Sequence, residues 1–259
     1  MRKPPPSTPI KNAAKQRADL ALVRQGLADG EDKARALIMS GAVYAENRRI
    51  DKPSESIGAK EILRVKGKAH DYVSRGALKL VAALDHFNIG PMGKICLDVG
   101  ASTGGFTEAL LRRGAAKVYA VDSGTNQLDW KLRSDPRVIV HERCNARALD
   151  RAIIPEAPQI IVADVSFISL TVALPAALGL AASDAQFVAL IKPQFEATRE
   201  DVGDGGIVRD EAVRQAACDK IQAWLERDMK WAILGLIESP ITGHDGNKEY
   251  LIAATRGIS

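Results

Sequence analysis

The residues with the most chemistry in their spacing are Leu97-Asp98-Val99-Gly100-Ala101-Ser102-Thr103-Gly104-Gly105-Phe106-Thr107. They lie between an apolar run and an amphipathic one, where small residues let the backbone approach a ligand. Three nucleotide-type ligands use such a turn. A phosphate-binding P-loop needs lysine after its second glycine; Gly100 and Gly105 have the right spacing, but Phe106 stands in the lysine position. A dinucleotide turn needs glycine third, and Ser102 is there instead. The ligand left carries no phosphate. S-adenosylmethionine needs a glycine-rich turn near its methionine part and an acid for its ribose hydroxyls. Asp122 ends the next strand-like run, 22 residues after Gly100, where one carboxylate can accept both hydroxyls. The competing reading is a strand-end aspartate that caps the following helix. Asp98 is expected to hold the loop or the methionine amino group, with Ser102, Thr103, Gly104, Gly105 and Phe106 completing the cofactor site. Lys192 also stands out, because a lysine between the apolar run Phe187–Ile191 and Pro193 gains little structurally.

Positioning these groups requires strands that end beside one another. Apolar runs at Ile95–Val99, Lys117–Val121, Val138–Val140, Ile160–Ala163, Phe187–Ile191, Ala232–Glu238 and Glu249–Ala254 read as strands. Helical patterns at Gly76–Phe87, Gly104–Arg113 and Glu211–Arg227 alternate with them, which predicts an α/β fold with a mostly parallel seven-stranded sheet. Only the turn Ser239–Asn247 joins the last two strands. They should pair antiparallel at one edge, an arrangement of Rossmann-like methyltransferases rather than dehydrogenases. Leu170 to Ala182, 13 weakly polar residues containing Pro175, is too short to span a bilayer and reads as a buried helix.

Charge is distributed unevenly. Residues 1–71 hold 15 lysines and arginines against 9 acids, whereas residues 72–259 hold 21 against 23. A basic module beside a near-neutral one is the footprint of a polyanion-binding appendage. Its opening, residues 1–12, is proline-rich and reads as a disordered tail; residues 13–66 form a small α+β domain, 67–73 a linker, and 74–259 the catalytic domain. Within the small domain, helical patterns end at Gly26 and, from Glu31, at Ser40 before Gly41; strand-like pieces follow at Ala42–Ala45 and Glu61–Lys66. Three widely spaced cysteines, Cys96, Cys144 and Cys218, offer neither a disulfide framework nor a zinc site. No export signal is legible, so a cytoplasmic protein without metal or membrane partner is expected.

Five motifs, in order, resemble the TlyA family within the FtsJ-like ribose methyltransferases. They are Tyr72-Val-Ser-Arg-Gly-Ala-Leu-Lys-Leu80, the loop from Asp98 to Thr107, Ala163-Asp-Val-Ser-Phe-Ile-Ser-Leu170, Leu190-Ile-Lys-Pro-Gln-Phe-Glu196 and Gly246-Asn-Lys-Glu-Tyr-Leu251. The resemblance covers nearly everything after residue 15. It implies S-adenosylmethionine as cofactor, ribosomal RNA or a ribosomal subunit as partner, and a cytidine ribose 2'-hydroxyl as acceptor. It also brings an older hemolysin label. By resemblance Lys79, Asp164, Lys192 and Glu249 form the catalytic set, Asn145 contacts the adenine, and Asp164 also borders the cofactor.

The first domain resembles the RNA-binding domain of ribosomal small-subunit protein four at Arg17-Ala-Asp-Leu20, Gly26-Leu-Ala28, Ala34, Leu37-Ile38, Gly41 and Val43. It departs where Glu31-Asp32 replaces a Ser-Arg pair and Glu46-Asn47-Arg48 a Val-Asn-Gly turn. Arg17, Arg24, Lys33, Arg35, Arg48, Arg49 and Lys52 remain the phosphate-contact candidates.

A ribose hydroxyl is a weak acid, so its methylation needs a base and an in-line approach. Lys192 is the expected base, with Lys79, Asp164 and Glu249 around it. Other acceptors fit less well. Methylation at carbon five of a base uses a cysteine, commonly after proline, and the three cysteines follow Ile95, Arg143 and Ala217. Methylation of an exocyclic amine uses Pro-Pro-aromatic, where Val165-Ser166-Phe167 follows Asp164. The glycines Gly203, Gly205 and Gly206 read as a mobile loop over the RNA. Two other classes stand beside the enzyme: a non-catalytic RNA-binding or ribosome-assembly factor, and a membrane-active hemolysin.

Overall fold

The computed structural model describes residues 15–28, 30–39, 41–46, 48–58, 61–65, 72–243 and 246–257. The chain divides into two compact units, Met1–Asp71 and Tyr72–Ser259. The expected tail and most of the expected linker lie outside the described residues, as do Ser40 and Asn47.

In the first unit, helices α1 (Ala18–Arg24) and α2 (Glu31–Met39) pack together. Strand β1 (Gln16–Arg17) pairs with β4 (Ser56–Ile57), and β2 (Val43–Ala45) lies between β3 (Arg48–Arg49) and β5 (Leu63–Val65), all antiparallel. Ala18, Ala21 and Leu22 project from α1 onto Ala34 and Ile38 of α2, the spacing of one helical face. Gly41 follows α2 at φ +70°, the left-handed stop expected of it. Asp19 is fully buried at the start of α1, and two hydrogen bonds from Arg17 (3.0 and 2.6 Å) hold its pKa down at about 2.

The second unit is a seven-stranded sheet. Its strands are β6 (Ile95–Val99), β7 (Lys117–Val121), β8 (Val138–His141), β9 (Ile160–Ala163), β10 (Gln186–Ile191), β11 (Trp231–Glu238) and β12 (Tyr250–Arg256). Their order is β11-β12-β10-β9-β6-β7-β8. From β10 to β8 every neighbour is parallel; β12 runs antiparallel to both β10 and β11. The last two strands therefore pair as expected, with β11 at the edge and β12 one place inside.

Period-two alternation sends Leu97, Val99, Ile161 and Phe187 to one face and Cys96, Val118, Ile160 and Val188 to the other. Both faces are apolar because helices cover both, as in other parallel sheets. Helices α3 (Gly76–His86) and α4 (Gly105–Arg112) cover the second of these faces, joined by the short α5 (Trp130–Arg133). Helices α6 (Leu170–Ala173), α7 (Pro175–Gly179) and α9 (Glu211–Arg227) cover the first. One short helix, α8 (Pro193–Glu196), follows β10.

Leu170–Ala182 is two short helices rather than one. Pro175 has no N–H to continue α6, so it opens α7 at its first turn. The chain reverses direction across the sheet between β6 and β9, and the crevice beyond their carboxyl ends is where such folds bind ligands.

Candidate active site

Two loops meet in that crevice. The loop after β6 turns at Gly100 (φ +85°), and a Cβ there would lie 2.6 Å from the carbonyl oxygen of Asp164, which ends β9. A side chain at residue 100 would force the loops apart, so glycine is required for the approach. Gly104 has a different duty. At φ +97°, its Cβ position would meet Leu132 at 2.2 Å and Leu128 at 2.8 Å, so it seats the α5 segment and lines neither cavity of the crevice.

Asp122 is half-buried at the end of β7 and accepts the backbone N–H of Ser102 and of Gly124, each at 2.7 Å. Asp122 caps no helix, since α5 begins at Trp130 with Asp129 as its cap; each Asp122 oxygen instead holds one loop N–H and keeps a lone pair for a ligand. Asp98 is fully buried in β6. One oxygen accepts the Thr107 hydroxyl at 2.7 Å, and the other has no hydrogen-bond partner among the described residues. Burial pushes its pKa up to about 7, against the pull of the Thr107 hydrogen bond.

The crevice holds two adjoining cavities of about 380 and 480 Å³, which share Gly100, Ser102, Asp164 and Ser166. Asp122 and Asn145 line the larger; Asn145 also accepts the Arg147 N–H at 3.1 Å, which orients its side chain. Lys79, Lys192 and Glu249 line the smaller together with Thr103, Gly105 and Phe106, the last mostly buried in the core.

The four charged residues arrive from four elements. Lys79 comes from α3, Asp164 from the end of β9, Lys192 from the end of β10, and Glu249 from the residue before β12. Lys79 and Glu249 form a buried ion pair, at 8% and 3% exposure. Lys192 Nζ lies 2.6 Å from Asp164 Oδ1 and donates to Ser166 Oγ at 2.7 Å. Charges this deep must be paired, and here each lysine has its own carboxylate.

Ser166 is the contact that sequence reasoning missed. A serine two residues after a strand-end aspartate has no periodic signal, and only its position in the Asp-Val-Ser-Phe motif singles it out. Phe167, next to it, is 90% exposed at φ +65°, with its ring 5.1 Å from that of Phe195. Both border a further groove reached from Ser166, Lys192 and Glu249, whose far wall includes Val202 and Gly206 of the glycine loop. Asn247 ties that loop down, accepting from Val208 N and donating to Gly206 O, both at 2.9 Å.

The basic candidates of the first unit are more engaged than a charge count implies. Arg17 and Arg35 share Asp19, and Arg35 also reaches Glu31 at 3.0 Å. Arg48 pairs with Glu55 and Glu61, and Arg49 with Asp51. Arg24, Lys33 and Lys52 are exposed. Among the described residues no cluster of three or more His, Cys, Asp or Glu could hold a metal ion, and no helix is long and apolar enough to cross a membrane.

A parallel sheet with one antiparallel strand inserted next to its edge, a glycine turn against β9 and an acid at the end of β7 together define a Rossmann-like methyltransferase. The sequence profile of the FtsJ-like methyltransferases matches residues 72–256. TlyA of Mycobacterium tuberculosis, named a 16S/23S rRNA (cytidine-2'-O)-methyltransferase, is 45% identical over 93% of this chain and 90% of its own. Hemolysin A of Brachyspira hyodysenteriae is 40% identical over 91% of this chain and 98% of its own. Among solved structures, a Streptococcus thermophilus protein with the hemolysin label superposes with a TM-score of 0.74 at 42% identity, covering 95% of this chain and 90% of that one. The chain belongs to the FtsJ-like methyltransferases and, within them, to the TlyA family.

Proposed function

We propose that the protein transfers a methyl group from S-adenosylmethionine to the 2'-hydroxyl of a cytidine ribose in ribosomal RNA, 16S, 23S or both. The observation that carries this reading is the meeting of Lys79, Asp164, Lys192 and Glu249 in one cavity, wall to wall with a second cavity that holds the ribose acid Asp122. The cytidine and the ribosomal RNA come from the likeness to TlyA.

The cofactor's fit rests on two features. Asp98, outside the linings of both cavities, has a buried oxygen without a partner among the described residues, suited to an ammonium, and Gly100 lines both cavities. Asp122 would take the ribose hydroxyls and Asn145 the adenine, with Ser102 and Thr103 along the loop. When bound, S-adenosylmethionine supplies a methyl group made electrophilic by its sulfonium. The chain's task is the acceptor. Lys192 would take the proton of the 2'-hydroxyl, leaving its oxygen able to accept the methyl group that bound S-adenosylmethionine would supply. Asp164 and Ser166 orient the Lys192 amine, and the Lys79–Glu249 pair fixes the opposite wall. Phe167 offers an exposed ring on which the acceptor base can stack.

In this reading residues 13–66 are a domain like that of ribosomal small-subunit protein four, and its bases meet RNA phosphates. Arg24, Lys33 and Lys52 reach them from exposed positions. Arg49 exchanges the exposed Asp51 for a phosphate at small cost, because exposed pairs are worth only about 0–1 kcal/mol. Arg17 and Arg35 keep the buried Asp19 as their partner, and Arg48 its half-buried glutamates, while meeting a phosphate from the exposed side.

Ribose methylation mapped on ribosomal RNA from cells with and without the gene tests the proposal: one or a few cytidines should lose their mark. Arg24→Glu with Lys52→Glu should restore that mark poorly. In vitro this double variant should show a shallower salt dependence of RNA binding, by about 0.7–0.9 in log–log slope for each phosphate that is no longer neutralised. Unchanged maps would refute the acceptor, and an unchanged slope would remove the RNA role of the first unit.

Asp98 makes the cofactor step pH-dependent. Its folded value of about 7 lies above the ordinary carboxylate value of about 3.9, so the folded chain holds this proton more tightly than the unfolded one. Asp98 therefore contributes stability that is fully present at low pH and lost as pH rises from about 4 to about 7. Cofactor affinity should run the other way, falling about tenfold per unit below pH 7, because the ammonium needs the ionised carboxylate. Asp98→Asn should flatten both profiles, bind cofactor weakly and raise the apo melting temperature at pH 8. Calorimetry and thermal scans across pH 5–8 that gave the wild-type and variant parallel profiles would refute this role.

A further inference from the structure

The two loops that carry Asp164, Ser166 and Lys192 leave the sheet at neighbouring parallel strands. Beyond Ala163 and Ile191 the ladder no longer sets their separation. The Lys192–Asp164 and Lys192–Ser166 contacts of 2.6 and 2.7 Å nevertheless demand a fixed spacing. A third group supplies it. Glu196, the last residue of α8 and four residues past Lys192, has a side chain only 1% exposed. One of its oxygens accepts the backbone N–H of Leu170 at 2.7 Å, and the other accepts the Ser169 hydroxyl at 2.5 Å. Lys220 of α9 closes the arrangement, reaching that second oxygen at 3.1 Å and the Glu196 carbonyl at 2.9 Å.

We infer that Glu196 is a positioning residue, a cross-tie that holds the Lys192 loop against the Asp164–Ser166 loop in the geometry needed for proton removal. The inference rests on the function proposed above. Glu196 touches neither of the two crevice cavities, so it acts through the loops it joins. From α8, the helix after β10, its carboxylate reaches two other segments, the turn after β9 and α9. Burying such a group is costly unless it is paired and hydrogen-bonded, and here a backbone amide, a hydroxyl and an ammonium all donate to it.

The test uses the full chain, S-adenosylmethionine and ribosomal RNA. Glu196→Ala should lower kcat by roughly 10²-fold, the scale of a misplacement near 1 Å. The KM for RNA and the calorimetric Kd for S-adenosylmethionine should stay close to native, because no residue assigned to either ligand is removed. Glu196→Gln should recover part of the loss, since its amide oxygen still accepts from Leu170 and its NH2 can donate to Ser169, although that NH2 meets the Lys220 ammonium donor to donor. Amide exchange in residues 165–172 should rise in the alanine variant and not in the glutamine one. If Glu196→Ala fails to fold, Ser169→Ala, which removes one arm, should show the same kcat-selective loss on a smaller scale.

Native kcat in Glu196→Ala would overturn the inference. So would a glutamine variant as slow as alanine, or a loss in which kcat, both affinities and melting temperature fall together. A native chain that methylates no RNA refutes the proposed function instead, and the exchange measurement then decides alone whether Glu196 ties the loops.

Discussion

Asp122→Ala should lose S-adenosylmethionine binding by roughly 10²–10⁴-fold, since two hydrogen bonds to a charged group are worth about 1.5–3 kcal/mol each. The ribose hydroxyls lose their acceptor, and the loop loses its anchor. Ser102 N and Gly124 N both donate to this carboxylate, so its removal leaves two donors unpaired and frees the Gly100–Gly104 turn to move. Asp122→Asn should fall between, because its amide keeps one oxygen for one of those donors. Titration calorimetry decides the matter, with Lys192→Ala as its control. If Asp122→Ala binds cofactor normally while Lys192→Ala does not, the two cavities have been assigned the wrong way round.

Lys192→Ala should bind the cofactor nearly as the native chain does and turn over about 10²–10⁴-fold more slowly, the loss expected for a general base. The residue sits in the smaller cavity, and its partners there are Asp164 and Ser166. Lys192→Arg separates base from charge. A guanidinium keeps the positive charge but cannot be deprotonated in a protein. If Lys192 removes a proton, arginine should be as slow as alanine. If its charge alone mattered, arginine would restore turnover.

Much of this architecture was legible in the residues. Ile95–Val99, Lys117–Val121 and Ile160–Ala163 were read with their observed bounds, as was helix Glu211–Arg227. Buried parallel strands are unbroken apolar runs, and a 17-residue amphipathic helix has a clear period. The antiparallel last pair followed from a connection too short for a crossover helix. What escaped was set by single residues and by pairing. Pro175 divides a run whose hydropathy is continuous. The four-residue α5 is too short to carry a helical period. The carboxylate partners of Arg17, Arg35, Arg48 and Arg49 are invisible to a charge count, because a net charge does not say which charges meet. The site was legible as a set of residues, whereas its division into two lysine–carboxylate pairs, with Ser166 beside one of them, is a property of the fold alone.

The central claim is that the accepted atom is a ribose oxygen, and one substrate tests it directly. Once the modified cytidine is mapped, an RNA fragment is made with deoxycytidine at that single position, leaving the base and every phosphate unchanged. It should bind as tightly as the all-ribose fragment, since phosphate contacts and stacking on Phe167 remain available. It should accept no methyl group from radiolabelled S-adenosylmethionine, because Lys192 has no proton to take and there is no oxygen to attack. Methyl transfer to the deoxy substrate at the native rate would contradict the account, since the acceptor would then be an atom of the base.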